Sequence, residues 1–156
     1  MAVAALVTWI ITAGFGFFML GTWISNGGIR GQAGTASHFQ PPVVFTHFLL
    51  AAAGLVVWII YVFNDSTTLA WIAFVDLVVV AVIGDLLVYR WFKDRRGTTS
   101  GAGAASTPPA PGVTTTEATT RPALAEQKIP TLAVAIHGVF AVTTVVLVLL
   151  AALEVG

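Results

Sequence analysis

The chain has no cysteine, little charge and no basic stretch ahead of its first apolar run. The missing cysteines exclude disulfides, thiolate metal sites, iron–sulfur clusters and cysteine nucleophiles, and they remove any redox clue to compartment. Metal or haem ligation must therefore come from histidine, methionine or carboxylate side chains. Charged residues make up 9% of 156 positions and apolar ones 57%, against about 25% and roughly 45–50% in soluble proteins. With a mean hydropathy of +0.91, the chain does not have water as its main solvent. A formal net charge of zero gives no basic surface for nucleic acid, and no GxxxxGK[ST] sequence occurs to cradle a nucleotide phosphate. Neither nucleic acid nor nucleotide is an expected partner. Ser37 and His38 stand in a short loop with no nucleophile elbow, so hydrolase chemistry is disfavoured.

What is present is a set of four long apolar runs. Segments near the ~20 residues that cross a ~30 Å hydrocarbon core occupy 3–24, 43–63, 69–92 and 131–153. The expected fold class is all-α, a polytopic membrane protein with four transmembrane helices in an up-down bundle, forming one domain over 1–156. The first run stays apolar beyond the roughly 7–15 residues of a signal-peptide core, so it reads as a retained span. Pro41-Pro42 and Pro130 precede the second and fourth runs, where proline favours a helix start because first-turn N–H groups lack intrahelical partners. The polar break at 64–68 allows only a tight antiparallel connection, so the second and third helices should pair.

Basic residues set the expected orientation, because Lys and Arg accumulate in cytoplasmic loops. Arg30 lies between the first two runs, and Arg90, Lys93, Arg95, Arg96, Arg121 and Lys128 lie at or after the end of the third and before the fourth. That segregation places loops 25–42 and 93–130 in the cytoplasm and both termini outside, in the inner (plasma) membrane of a cell whose Ala-, Val-, Thr- and Arg-biased composition is that of a GC-rich bacterium. Trp23, Tyr89 and Trp91 fall near the inner boundary and Trp58, Tyr61 and Trp71 near the outer one, the positions of aromatic belts. The basic cluster at 90–96 reads as a stop-transfer anchor. The tract 97–123, rich in Gly, Ala, Thr and Pro and without aromatics, is expected to be a disordered cytoplasmic linker.

Ionisable side chains inside a span cost about 2.5–3.5 kcal/mol on insertion scales, and four call for explanation: His47, Asp76, Asp85 and His137. At ~1.5 Å rise per residue, His47 and Asp85 lie roughly 9 Å inward of their span centres and His137 about 7 Å. Three ionisable groups on three helices thus share a layer. Asp76, about 13 Å from Asp85 and on the opposite helix face, does not join it.

Three readings of the layer stay open. In the first, His47 and His137 are axial ligands of a haem b or hold another redox cofactor between the second and fourth helices, which run in the same direction and lie diagonally across a bundle. Parallel helices that each contribute a histidine resemble cytochrome b561-type proteins and the membrane anchors of succinate dehydrogenases. The resemblance covers topology and two residues, and the second histidine pair of b561-type proteins is missing. Ala51, Gly54, Gly138 and Ala141 are the small residues that would leave room for a macrocycle. In the second reading His47, Asp85 and His137, with Glu126 or His38 from the inner rim, bind a divalent metal or relay a proton. In the third, a His–Asp hydrogen bond fixes helix register, and the chain is a non-enzymatic accessory or assembly subunit of a larger membrane complex. On none of these readings is it expected to be an enzyme by itself; its partners are the lipid bilayer and other membrane subunits. Gly14, Gly16 and Gly21 are expected to line a packing face, and Met19 to fill space.

Overall fold

A computed structural model describes residues 1–29, 37–103, with 97–103 as backbone alone, and 124–154. All four apolar runs are helices: α1 is Ala2–Ser25, α2 Pro41–Asn64, α3 Thr67–Gly103 and α4 Thr131–Glu154. No strand occurs among the described residues. Each of the four is long and apolar enough to cross a membrane, since even 24 residues at ~1.5 Å rise exceed a ~30 Å hydrocarbon core. The chain is a small integral membrane protein, and its outward-facing Val, Leu, Ile and Phe side chains meet lipid.

Local chemistry explains most of the helix ends. Pro41 and Pro42 occupy the first turn of α2, and Asp65 ends that helix in the left-handed region, with φ 48°. Its N–H donates to the Tyr61 carbonyl at 2.9 Å; a short polar side chain tolerates this backbone better than most. One more residue, Ser66, separates Asp65 from α3, as the polar break required. α3 departs from expectation at its far end. Its apolar part runs through Arg96 and its helical course reaches Gly103, into the tract expected to lack structure. Extending an existing helix adds one hydrogen bond per residue without a new nucleus. Residues 104–123 lie outside the described residues.

Contacts between helices run in opposite directions along the chain. Thr8 meets Thr144 and Thr12 meets His137 between α1 and α4. His47 meets Val80 and Gly54 meets Asp76 between α2 and α3. α1 packs chiefly on α4 and α2 on α3, and the α3–α4 and α1–α2 contacts close the ring, leaving α2 and α4 diagonal. Met1, Glu154 and the 64–66 turn lie at one end of this up-down bundle, here the terminal end. The C-terminal end of α1, the N-terminal end of α2 and a short 3-10 turn, Ala125–Lys128, that leads into α4 lie at the other, here the loop end.

The interior consists of two apolar plugs. Trp9, Trp58, Tyr61, Leu77 and Val148 build the one at the terminal end, and Trp23, Phe39, Trp91 and Ile129 the one at the loop end. Four of the six aromatics expected in lipid-facing belts are therefore inside: Trp23, Trp58, Tyr61 and Trp91 are buried, while Trp71 and Tyr89 are exposed. For the three tryptophans the indole N–H explains it, because each finds a protein acceptor. Trp58 donates to the Ala2 carbonyl at 3.2 Å, Trp23 to Ser37 Oγ at 2.9 Å and Trp91 to the Glu126 carbonyl at 3.0 Å. An indole whose polar tip is satisfied internally need not stay at the headgroups.

Candidate functional site

His47 and His137 lie between the two plugs, with ring centroids 6.5 Å apart and ring planes inclined at 57°. Each ring is oriented by a third helix. His47 Nδ1 is 3.0 Å from the Val80 carbonyl of α3, and His137 Nδ1 is 2.9 Å from the Thr12 carbonyl of α1. A carbonyl can only accept, so in the neutral form of each ring the proton sits on Nδ1 and Nε2 keeps its lone pair. No hydrogen bond reaches either Nε2 among the described residues. The carbonyls are available although both helices are regular, because a backbone oxygen has two lone pairs and the helix uses one.

Glycine makes room for both rings. A Cβ added at Gly84 of α3 would stand 3.0 Å from His47 Cε1, and one at Gly16 of α1 would stand 3.3 Å from His137 Cε1. They are not the small residues expected to serve the pair, namely Ala51, Gly54, Gly138 and Ala141. The space beside Gly54 is taken by the Asp76 carboxyl, and a Cβ added at Gly138 would meet neither histidine within 4 Å. Of the three glycines expected to form a packing face on α1, Gly16 alone is closely approached, with open space at Gly14 and Gly21. Met19 packs against the loop-end plug, consistent with a space-filling role.

The carboxylates part company. Asp85 is exposed, with no hydrogen bond or ion pair among the described residues, so the shell of His47, Asp85 and His137 is not assembled. Gly84 faces His47, and its neighbour is turned about 100° round the helix, which carries Asp85 to the outside. Asp76 turns inward instead, against Gly54 and near Trp9, and its Oδ2 is buried without a hydrogen-bond partner. On the terminal side of the histidines, Thr144 donates to Thr8 Oγ1 at 3.0 Å, adding a polar contact between that layer and the plug.

A second polar cluster closes the loop end. Glu126, fully buried, accepts the His38 backbone N–H at 2.7 Å through Oε1. His38 Nδ1 lies 2.8 Å from Asp94 Oδ1. The remaining oxygens, Glu126 Oε2 and Asp94 Oδ2, are buried without partners. Arg95 fastens the 3-10 turn to α3 through the Gln127 and Ile129 carbonyls and Thr131 Oγ1, with its guanidinium 4.5 Å above the Trp91 ring. Comparison with protein-family models, curated proteins and solved structures finds no match for this chain.

Sequence reasoning placed His38 and Glu126 only as accessories to the histidine layer and did not single out Asp94. The three come from segments 56 and 88 positions apart, so no local spacing announces them. The inward turn of Asp76 was equally silent. Its one visible signal was a glycine on a neighbouring helix at matching depth.

Proposed function

We propose that the bundle is a small membrane electron-transfer subunit that holds a haem b, or another redox group with a metal centre, between His47 of α2 and His137 of α4. The observation that carries this reading is the 6.5 Å between ring centroids. Metal–imidazole bonds of about 2.0–2.1 Å, with about 1.1 Å from ring nitrogen to ring centre on each side, give roughly 6.3 Å for two imidazoles on one metal atom. The donor chemistry fits as well. Both rings are neutral tautomers fixed by Nδ1–H bonds to backbone carbonyls, the outer-shell arrangement that orients ligating histidines and raises their basicity, and both Nε2 lone pairs are free. A haem bound there would supply one-electron exchange within the membrane. The protein's part is to orient the imidazoles, exclude water by means of the apolar plugs above and below, and seat the two rings against Gly16 and Gly84. The segregation of Lys and Arg supports loops facing the cytoplasm and termini outside.

The absorbance spectrum of the purified full-length chain, expressed with haem available, tests the reading. A Soret band that disappears in both His47→Ala and His137→Ala but persists in His38→Ala is the expected result. A colourless protein that takes up no added haem would overturn it. In that case the same two ring-to-carbonyl hydrogen bonds favour a scaffold role, in which the histidines lock α2 to α3 and α4 to α1 in an accessory subunit.

A further inference from the structure

We propose that His38, Asp94 and Glu126 form a binding site for a divalent zinc-like cation at the loop end of the bundle, separate from the histidine pair. One ligand atom from each residue lies within 4.8 Å of the other two. An imidazole with two carboxylates is a mixed borderline and hard donor set of the kind that Zn²⁺ accepts, with water in the fourth position of an open tetrahedral site.

Burial distinguishes this cluster from an ordinary surface ion pair. Glu126 is fully buried, and it spends Oε1 on the His38 N–H while Oε2 has no partner. Asp94 repeats the pattern, with Oδ1 on the His38 ring and a buried Oδ2 left over. A buried carboxylate oxygen without a donor is costly, and each of the two carboxylates that carry one has an oxygen within 4.8 Å of a His38 ring nitrogen and of the other, close enough for a single cation to bridge the three side chains. His38 provides the way in, because its side chain is 49% exposed against 14% for Asp94. On binding, the ion replaces the hydrogen bond between His38 Nδ1 and Asp94, and the neutral imidazole carries its proton on Nε2.

The surroundings are those of a supported site. The Glu126 backbone is held by Trp91 Nε1. The loop bearing His38 is held by Ser37 Oγ, which accepts from Trp23 Nε1 and from the Phe39 N–H. A bound ion therefore ties the 37–40 loop, the end of α3 and the 3-10 turn before α4 to one point.

The test is equilibrium dialysis of the purified, chelator-stripped full-length chain against Zn²⁺ alone, with Co²⁺ as a spectroscopic probe. Expected are about one ion per chain, visible Co²⁺ absorption bands, and affinity at least tenfold weaker in His38→Ala and in Asp94→Asn. His47→Ala and His137→Ala should bind as wild type does, so this outcome is independent of the haem reading. Because Glu126 also anchors the loop by accepting the His38 N–H, the exposed His38→Ala variant is the decisive one. No Zn²⁺ uptake, or uptake unchanged in His38→Ala and Asp94→Asn, overturns the proposal and leaves the cluster as a structural latch.

Discussion

The carboxyl of Asp76 on α3 occupies the place beside Gly54 of α2 where any side chain would stand, and a Cβ added at Gly54 would overlap Oδ2. Neighbouring groups that exclude one another should show strong coupling when mutated. Gly54→Ala is expected to cost about 1–3 kcal/mol by overpacking. In the Asp76→Ala background most of that cost should vanish, since the obstructing carboxyl is gone. Unfolding of the four chains of this double-mutant cycle in detergent measures the coupling, and additive single-mutant effects would show that the two residues do not touch.

Gly84 and Gly14 make a matched pair for the histidine layer. A Cβ at Gly84 would meet His47 Cε1 at 3.0 Å, whereas a Cβ at Gly14 would meet no side chain or other helix within 4 Å. Gly84→Val should lower the thermal midpoint through overpacking of about 1–3 kcal/mol. Gly14→Ala should leave it unchanged or raise it, given the better helix propensity of alanine. Circular dichroism melting of both variants checks the contrast.

Thr144 is almost fully buried, and its hydroxyl lies 3.0 Å from Thr8 Oγ1 across the bundle and 2.7 Å from the Phe140 carbonyl of its own helix, with one proton shared between the two. Thr144→Val keeps the shape and removes the interhelical bond. The expected loss is about 0.6 kcal/mol and no more than about 1.7, the range for such bonds in membranes. An unfolding experiment that found several kcal/mol would mean that this contact supports more of the bundle than one hydrogen bond.

Absence of cysteine makes orientation directly measurable, because every introduced thiol is the sole thiol. Thr68 and Lys93 are exposed near opposite ends of α3. With the loops in the cytoplasm, Thr68→Cys in intact cells should react with a membrane-impermeant maleimide, and Lys93→Cys should react only after the membrane is opened. The reverse labelling pattern would invert the proposed topology.

Much of this architecture was legible in one dimension. Four apolar runs of spanning length oblige four helices, because a backbone in hydrocarbon must satisfy its own polar groups. The short break at 64–68 dictated an antiparallel α2–α3 pair, and the rise per residue set His47 and His137 at similar depth. Rotation about each helix axis was another matter. In a soluble helix a polar face shows which side is out, but lipid is as apolar as the core, and these helices are apolar all round. Which way each residue points was decided by tertiary packing: close approach at Gly16, Gly54 and Gly84, backbone carbonyls offered to the histidine rings, and acceptors found for buried indoles. That packing turned Asp76 in and Asp85 out, drew four aromatics inward, brought the two imidazole centroids to 6.5 Å, and gathered His38, Asp94 and Glu126 from three distant segments. Depth follows from counting residues along a helix, whereas facing depends on the neighbours that the helix meets only in the folded bundle.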